Sequence, residues 1–175
     1  LLDSGIQNII IPKVETAEEV EKIMYWASYA PRGNRGFGAS AVRAGYYNRH
    51  ADYLERETQE ICILPQIESK IGYANLDEIT AVKGIGGIFL GPIDLAVDMG
   101  HGLDIFHPEV ANAMDDMIKR IKAKNIPVGT IAVTPEQAKH FVDLGISFIA
   151  LGADTAFLAM GADNTLDTFK KCIES

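Results

Sequence analysis

Short β-branched runs alternate along the chain with stretches whose apolar residues recur every three or four positions. Asn8-Ile-Ile-Ile-Pro-Lys-Val14 is too brief for a helix and predicts a strand. Thr16-Ala-Glu-Glu19 then has the form of a capping box, with Val20, Ile23, Met24 and Ala27 at helical spacing behind it. Pro31 to Gly38 is a glycine-rich loop, and long loops of this kind more often serve function than mere connection. A polar helical segment over 51–60 leads into a second strand at Ile61-Cys-Ile-Leu-Pro-Gln-Ile67. Helix is predicted from there to Val82, with Asn75 and Glu78 as a second capping box and Gly84 as the stop. Gly87 to Leu90 is the third strand, and His107-Pro108 opens a long helix with Val110, Met114, Met117, Ile118 and Ile121 on one face. Ile126 to Ile131 gives a fourth strand, Thr134-Pro-Glu-Gln137 caps a helix closed by Gly145, and Ser147 to Gly152 gives a fifth. Two short helical pieces are predicted after it, with Leu166, Phe169 and Ile173 as the last apolar stripe.

Strands alternating with helices imply a parallel sheet covered by helices, in one domain spanning 1–175. Five such units suit a doubly wound sheet, but that fold wants a glycine-rich phosphate loop after its first strand. Val14-Glu-Thr16 stands there instead, and Gly84-Ile-Gly-Gly87 precedes a strand rather than following one. Polar residues gather at the carboxyl ends of the strands, as on the active face of a barrel. The expected fold is therefore α/β, a (β/α)8 TIM barrel of which this chain supplies about the last five strand-helix units. The chain opens on Leu-Leu-Asp-Ser-Gly without a Met or a signal peptide. The first three units are accordingly expected upstream of Leu1.

Composition narrows the function classes. Sixteen basic against 24 acidic residues give a net charge of −8, which argues against a nucleic-acid partner. No apolar run reaches the ~18 residues of a membrane span. Cys62 and Cys172 match no C-x-x-C pattern and suggest a reducing, cytoplasmic setting.

The candidate chemistry lies where two apolar runs stop at carboxylates. Strand side chains alternate faces, so Gln66 and Glu68 point the same way, and Asp94 follows the next strand after a Gly-Pro turn. Acids at such places are costly unless exposed, paired or metal-bound. We read Glu68 and Asp94 as ligands of a divalent cation, Mg²⁺ or Mn²⁺ by donor type, and the alternative is a pair of exposed loop acids. Lys13 at a strand end is either a solvated lysine or a Schiff-base nucleophile. His101 and His107 flank a loop near Asp94 and resemble metal ligands, but His107 before Pro108 is rather expected to start the following helix. His50 and His140 are expected at the surface, and Met114 and Met117 in the core. Arg32, Arg35 and Arg43 are read as solvated charges, one of which could greet an acidic substrate.

Several stretches together resemble one family. They are Leu2-Asp-Ser-Gly-Ile-Gln7, Ile11-Pro-Lys-Val-Glu-Thr-Ala-Glu-Glu19, Pro65-Gln-Ile-Glu68, Asn75-Leu-Asp-Glu-Ile79, Gly91-Pro-Ile-Asp-Leu95, Met99-Gly-His101, His107-Pro-Glu-Val110 and Gly152-Ala-Asp-Thr155. In order and spacing they resemble the HpcH/HpaI aldolases, metal-dependent pyruvate aldolases of class II that include 4-hydroxy-2-oxoheptanedioate and 2-dehydro-3-deoxyglucarate aldolases. The resemblance implies reversible aldol cleavage of a 4-hydroxy-2-oxo acid to pyruvate and an aldehyde, through a metal-stabilised pyruvate enolate. It implies Glu68 and Asp94 as ligands of Mg²⁺, Mn²⁺ or Co²⁺, and Gln66 beside the metal and the keto acid. Backbone amides around Ile93 and Asp94 would take the pyruvate carboxylate. Asp3 matches an aspartate that pairs with a proton-transfer histidine, and neither that histidine nor the family's arginine has a counterpart here. The resemblance also implies a homohexamer whose last helix, within 163–175, is exchanged between neighbours. Lys13 stands where many members carry Met. Ile11-Pro-Lys-Val-Glu15 is also typical of citrate lyase β-subunit relatives, so a C–C lyase of a CoA thioester and a non-catalytic barrel fragment are the alternatives.

Overall fold

A computed structural model describes residues 1–38 and 40–173. A 3-10 turn over Leu2–Ser4 precedes β1 (Asn8–Ile11) and α1 (Ala17–Ala27), and a long loop then leads to α2 (Tyr53–Glu60). β2 (Cys62–Ile67) is followed by the short helices α3 (Lys70–Ala74) and α4 (Leu76–Ile79). After β3 (Ile88–Leu90) come α5 (Pro92–Met99) and α6 (Pro108–Ala123), then β4 (Val128–Ile131), α7 (Pro135–Asp143), β5 (Phe148–Ala150) and α8 (Asp154–Ile173).

The five strands form one parallel sheet in the order β1-β2-β3-β4-β5. Strand order decides between the two architectures. Parallel crossovers are almost always right-handed, so a sheet that never reverses its order keeps all its helices on one face. A doubly wound sheet must reverse somewhere and cover both faces. This sheet does not reverse, and its arrangement is that of consecutive units of a barrel wall.

Alternation along β2 shows the two faces. Ile63, Pro65 and Ile67 are buried, whereas Cys62, Leu64 and Gln66 are half-buried. Ile67 joins Ile88, Leu90 and Val128 in the main core with Val20, Leu76, Leu95, Val110, Met114, Met117 and Phe141 from the helices. That set is the sheet-helix layer. On the inner face Phe89 meets Phe148 with ring centroids 5.9 Å apart. Gly129 between them leaves the room: a Cβ there would stand 2.8 Å from Phe148 Cδ1 and 3.0 Å from Phe89 Cδ2.

Local chemistry sets most helix starts as the sequence suggests. Thr16 and Glu19 form a reciprocal capping box, and Thr134 caps α7 by accepting the Gln137 amide at 3.2 Å. His107 is the N-cap of α6, as expected. Asn75 and Glu78 do not form the second capping box. The Asn75 side chain donates instead to the Glu15 carbonyl at 2.9 Å, a long-range bond that ties this turn to the connection between β1 and α1. The helix predicted up to Val82 is accordingly broken into α3 and α4, with Ser69 capping the first through the Gly72 amide at 3.1 Å. The two helical pieces expected after β5 are one continuous helix. A single mid-helix glycine costs only about 1 kcal/mol, and the Thr165 hydroxyl donates back to the Gly161 carbonyl at 2.8 Å across the weak point. None of the residues of α8 is buried. Of the segment 163–175, residues 174 and 175 lie outside the described residues.

Candidate metal centre

Gln66 pairs with Phe89 and Ile67 with Leu90, so β2 and β3 stop at one level and Glu68 comes to lie beside Gly91. The Gly91 amide donates to the Ile67 carbonyl at 3.0 Å and holds that level. α5 then begins at once with Pro92 in its first turn, where the missing N–H is no loss. Asp94 therefore sits in the first turn of α5 rather than at a bare strand end. The first-turn amides, those of Ile93 and Asp94 among them, have no carbonyl one turn back within the helix, and the positive helix end favours a carboxylate at 94.

Glu68 is only 6% exposed. The Lys13 amide donates to its Oε1 at 2.7 Å, and the Gln66 side-chain amide donates to its Oε2. Burial pushes the Glu68 carboxyl above the usual carboxylate range. The hydrogen bond from Lys13 pulls the other way, and the charge of nearby Asp94 adds to the upward push. Lys13 itself is exposed but has a φ of 52°, in the left-handed region that few non-glycine residues occupy. That conformation delivers its N–H to Glu68, the kind of strain that functional sites hold.

Gly91 shapes the other side of the carboxylate. A Cβ at this position would lie 2.6 Å from Glu68 Oε2 and 2.8 Å from both Gln66 Nε2 and Glu68 Cβ. The φ of Gly91, −104°, is open to any residue, so space and not backbone freedom demands glycine here. Gly91→Ala is expected to displace Glu68 and weaken divalent-cation binding roughly tenfold or more, with about 1–3 kcal/mol of overpacking cost. Calorimetric titration with Mn²⁺ and a denaturation curve measure the two effects.

The structure thus brings Gln66, Glu68, Ile93 and Asp94 together at the carboxyl ends of β2 and β3. It does not bring Asp3 to them. Asp3 precedes β1 at the opposite end of that strand, and its carboxylate accepts a hydrogen bond from Arg35 Nη2 at 2.6 Å. Arg35 is not the solvated charge expected, since its side chain is only 7% exposed. Two contributors escaped the sequence reading, the cradle at Gly91 and the backbone of Lys13. The first had a signal in Gly-Pro-Ile-Asp, where the glycine looked only like part of a turn. The second had none, because a main-chain donor leaves no mark on side-chain pattern.

Two carboxylates from adjacent units, one buried and near enough to feel the other's charge, with the wall of Gly91 kept free of a side chain, suit a hard divalent cation with positions left for other oxygen ligands. The sequence profile of the HpcH/HpaI aldolase/citrate lyase family matches residues 1–160. The chain belongs to that family. A hydroxypyruvate/pyruvate aldolase from Deinococcus radiodurans is 40% identical over 169 residues, 97% of this chain and 61% of the relative. A 4-hydroxy-2-oxo-heptane-1,7-dioate aldolase from Klebsiella pneumoniae is 40% identical over 163 residues, 93% of this chain and 62% of the relative. The chain thus spans a little over three-fifths of the length of these two HpcH/HpaI relatives. Among solved structures, an HpcH/HpaI aldolase/citrate lyase family protein from Burkholderia cenocepacia superposes with a TM-score of 0.86 at 28% identity, over 97% of this chain and 67% of that one. An HpcH/HpaI aldolase from Desulfitobacterium hafniense gives a TM-score of 0.86 at 26% identity, over 97% and 66%.

Proposed function

We propose that this protein is a carbon-carbon lyase, a class II pyruvate aldolase that reversibly cleaves a 4-hydroxy-2-oxo acid to pyruvate and an aldehyde. The observation that carries this reading is the buried Glu68 carboxylate at the end of β2, with the charge of Asp94 near it from the first turn of α5 after the adjacent strand. The relatives at 39–40% identity bear aldolase names, which favours this chemistry over cleavage of a CoA thioester.

In this reading Glu68 and Asp94 hold Mg²⁺, Mn²⁺ or Co²⁺ between them. The cation, when bound, supplies Lewis-acid stabilisation of the negative charge that develops on the pyruvate half during C3–C4 cleavage, worth several kcal/mol. The chain's own residues do the positioning. The Lys13 amide fixes one oxygen of Glu68, and Gln66 holds the other and presents its remaining polar atoms to the keto acid. The first-turn amides at Ile93 and Asp94 receive the substrate carboxylate, as helix N-termini do for anions. Asp3 stays part of the proposal in a supporting role, since its partner is Arg35. The enzyme works in the cytoplasm, on small keto acids. The test is pyruvate release from 4-hydroxy-2-oxo acids by the intact protein. EDTA is expected to abolish it and Mn²⁺ or Co²⁺ to restore it, whereas activity that survives EDTA and is trapped by borohydride would move the chemistry to Lys13.

The last helix belongs to the same proposal. Phe157, Leu158, Met160, Leu166, Phe169 and Ile173 are all exposed on α8, and a helix with such a face needs an apolar partner. We assign that partner to a neighbouring subunit of a homo-oligomer, a hexamer by family resemblance. Phe157→Asp combined with Phe169→Asp is expected to lower the mass measured by light scattering, and an unchanged assembly would remove this part of the proposal.

A further inference from the structure

A second cluster of donors lies outside the centre described above, on the loop between α5 and α6 and the first turn of α6. One donor atom each from His101, His107 and Glu109 falls within 4.8 Å of the others. His101 Nε2 is 2.7 Å from Glu109 Oε2, the Glu109 amide lies 3.3 Å from His107 Nδ1, and the two imidazoles stack with centroids 3.5 Å apart at 15°. The backbone beneath them is pinned. His101 N donates to the Ala96 carbonyl at 2.9 Å, Asp104 N to His101 at 3.1 Å and His107 N to Asp104 at 3.2 Å. Gly100 and Gly102, at φ of 91° and 58°, make the turns that bring His101 back over the start of α6. The backbone that carries the two histidines is thus fixed by main-chain bonds.

We propose that His101, His107 and Glu109 form a binding site for a borderline transition-metal cation of the Zn²⁺ class. Two imidazoles and one carboxylate are the donor set that Zn²⁺, Ni²⁺ and Co²⁺ prefer, whereas the all-oxygen pair Glu68 and Asp94 suits harder ions. In the metal-free arrangement a hydrogen bond joins His101 Nε2 and Glu109 Oε2, and a cation takes the place of its proton, which the neutral imidazole then carries on Nδ1. Two stacked rings cannot both aim an in-plane lone pair at one ion. Binding therefore turns His107 off the stack and gives up its long cap contact with the Glu109 amide, while Glu109 neutralises the charge beside the helix start. Once filled, the site staples the 100–107 loop to α6. The proposal stands independently of the aldolase reading, because no residue is shared with it.

The test uses the intact protein and Zn²⁺ alone, titrated against a chromogenic chelator with millimolar Mg²⁺ present throughout. One Zn²⁺ per chain is expected to bind despite the Mg²⁺, and to persist in the Glu68→Gln/Asp94→Asn double variant. His101→Tyr and Glu109→Gln are each expected to weaken Zn²⁺ binding by about tenfold or more with an unchanged circular dichroism spectrum. In the Co²⁺-loaded double variant, visible absorption should report nitrogen ligation and vanish with His101→Tyr. Zn²⁺ affinity unchanged by both single substitutions, or abolished by the double variant alone, would overturn the proposal.

Discussion

Replacing Glu68 with glutamine is expected to lower kcat for pyruvate release by about three orders of magnitude, while making the metal-free protein more stable at neutral pH. The first effect follows from the cation that Glu68 would hold: several kcal/mol of charge stabilisation, at about 1.4 kcal/mol per factor of ten. The second follows from burial, which raises the Glu68 carboxyl above its unfolded value. A raised folded pKa means that the folded state holds the proton more tightly. The group therefore favours folding below its unfolded pKa of about 4.3, and that contribution is lost as pH rises through the folded value. At neutral pH the buried charge is a burden, and glutamine removes it. Its amide oxygen still accepts the Lys13 N–H, and Gln66 can turn its own amide to present oxygen instead of nitrogen. Melting curves in EDTA should show the variant above the wild type near pH 8, with the gap closing as pH falls through the folded value towards the unfolded value of about 4.3. Asp94→Asn should lose turnover similarly without gaining stability, because Asp94 is exposed and the helix start already favours its anion. Near-normal turnover in both variants would remove the carboxylate pair from the chemistry. A melting gap that does not change with pH would remove the burial argument.

Periodicity carried much of the architecture. Five strands, their parallel sense and most of the helices between them were legible because buried strands and amphipathic helices leave different spacings in the sequence, whereas α5 was hidden behind what read as a Gly-Pro turn. The inner-facing Gln66 and Glu68 were legible for the same reason, as polar breaks in an apolar run. What stayed hidden depends on residues far apart in the chain. Asn75 looks like a cap until Glu15 arrives, 60 residues away, to accept its amide. Arg35 and Glu57 look like solvent-facing charges, in a glycine-rich loop and a polar helix respectively, and nothing local reveals that they are buried together. The His101, His107 and Glu109 cluster was half visible: the two histidines stood out, but the carboxylate that joins them looked like an ordinary first-turn acid. Gly161 shows the opposite error, a local breaker that the helix simply absorbs.

Glu57→Gln is expected to destabilise the protein by about 1–3 kcal/mol, less than the full cost of stranding a buried charge, because Arg35 keeps the Asp3 carboxylate. Glu57 is 3% and Arg35 7% exposed, with Arg35 Nη1 at 3.7 Å from Glu57 Oε1. That distance is within ion-pair range but beyond a hydrogen bond, so the attraction is mainly of charge for charge. Arg32 Nη2 also reaches Glu57, at 3.3 Å, from a more exposed position. Besides the Asp3 carboxylate at 2.6 Å, Arg35 meets two tyrosines: its guanidinium lies 4.4 Å from the centre of the Tyr29 ring and 3.4 Å from the Tyr53 hydroxyl. With glutamine at 57, Arg35 keeps the half-exposed Asp3 and the face of Tyr29 but loses the buried anion. The loop between α1 and α2 should loosen first, since Tyr29, Arg35 and Tyr53 are its inner anchors. Hydrogen exchange would show this as faster exchange over 29–53 with the sheet amides unchanged. Urea unfolding of Arg35→Met, Glu57→Leu and the double variant then separates charge from packing. Each single change strands a polar group, whereas the double change replaces the pair with apolar volume and should recover much of the loss. If the double variant is as unstable as the sum of the singles, the network acts through shape alone and the coupling argued here does not exist.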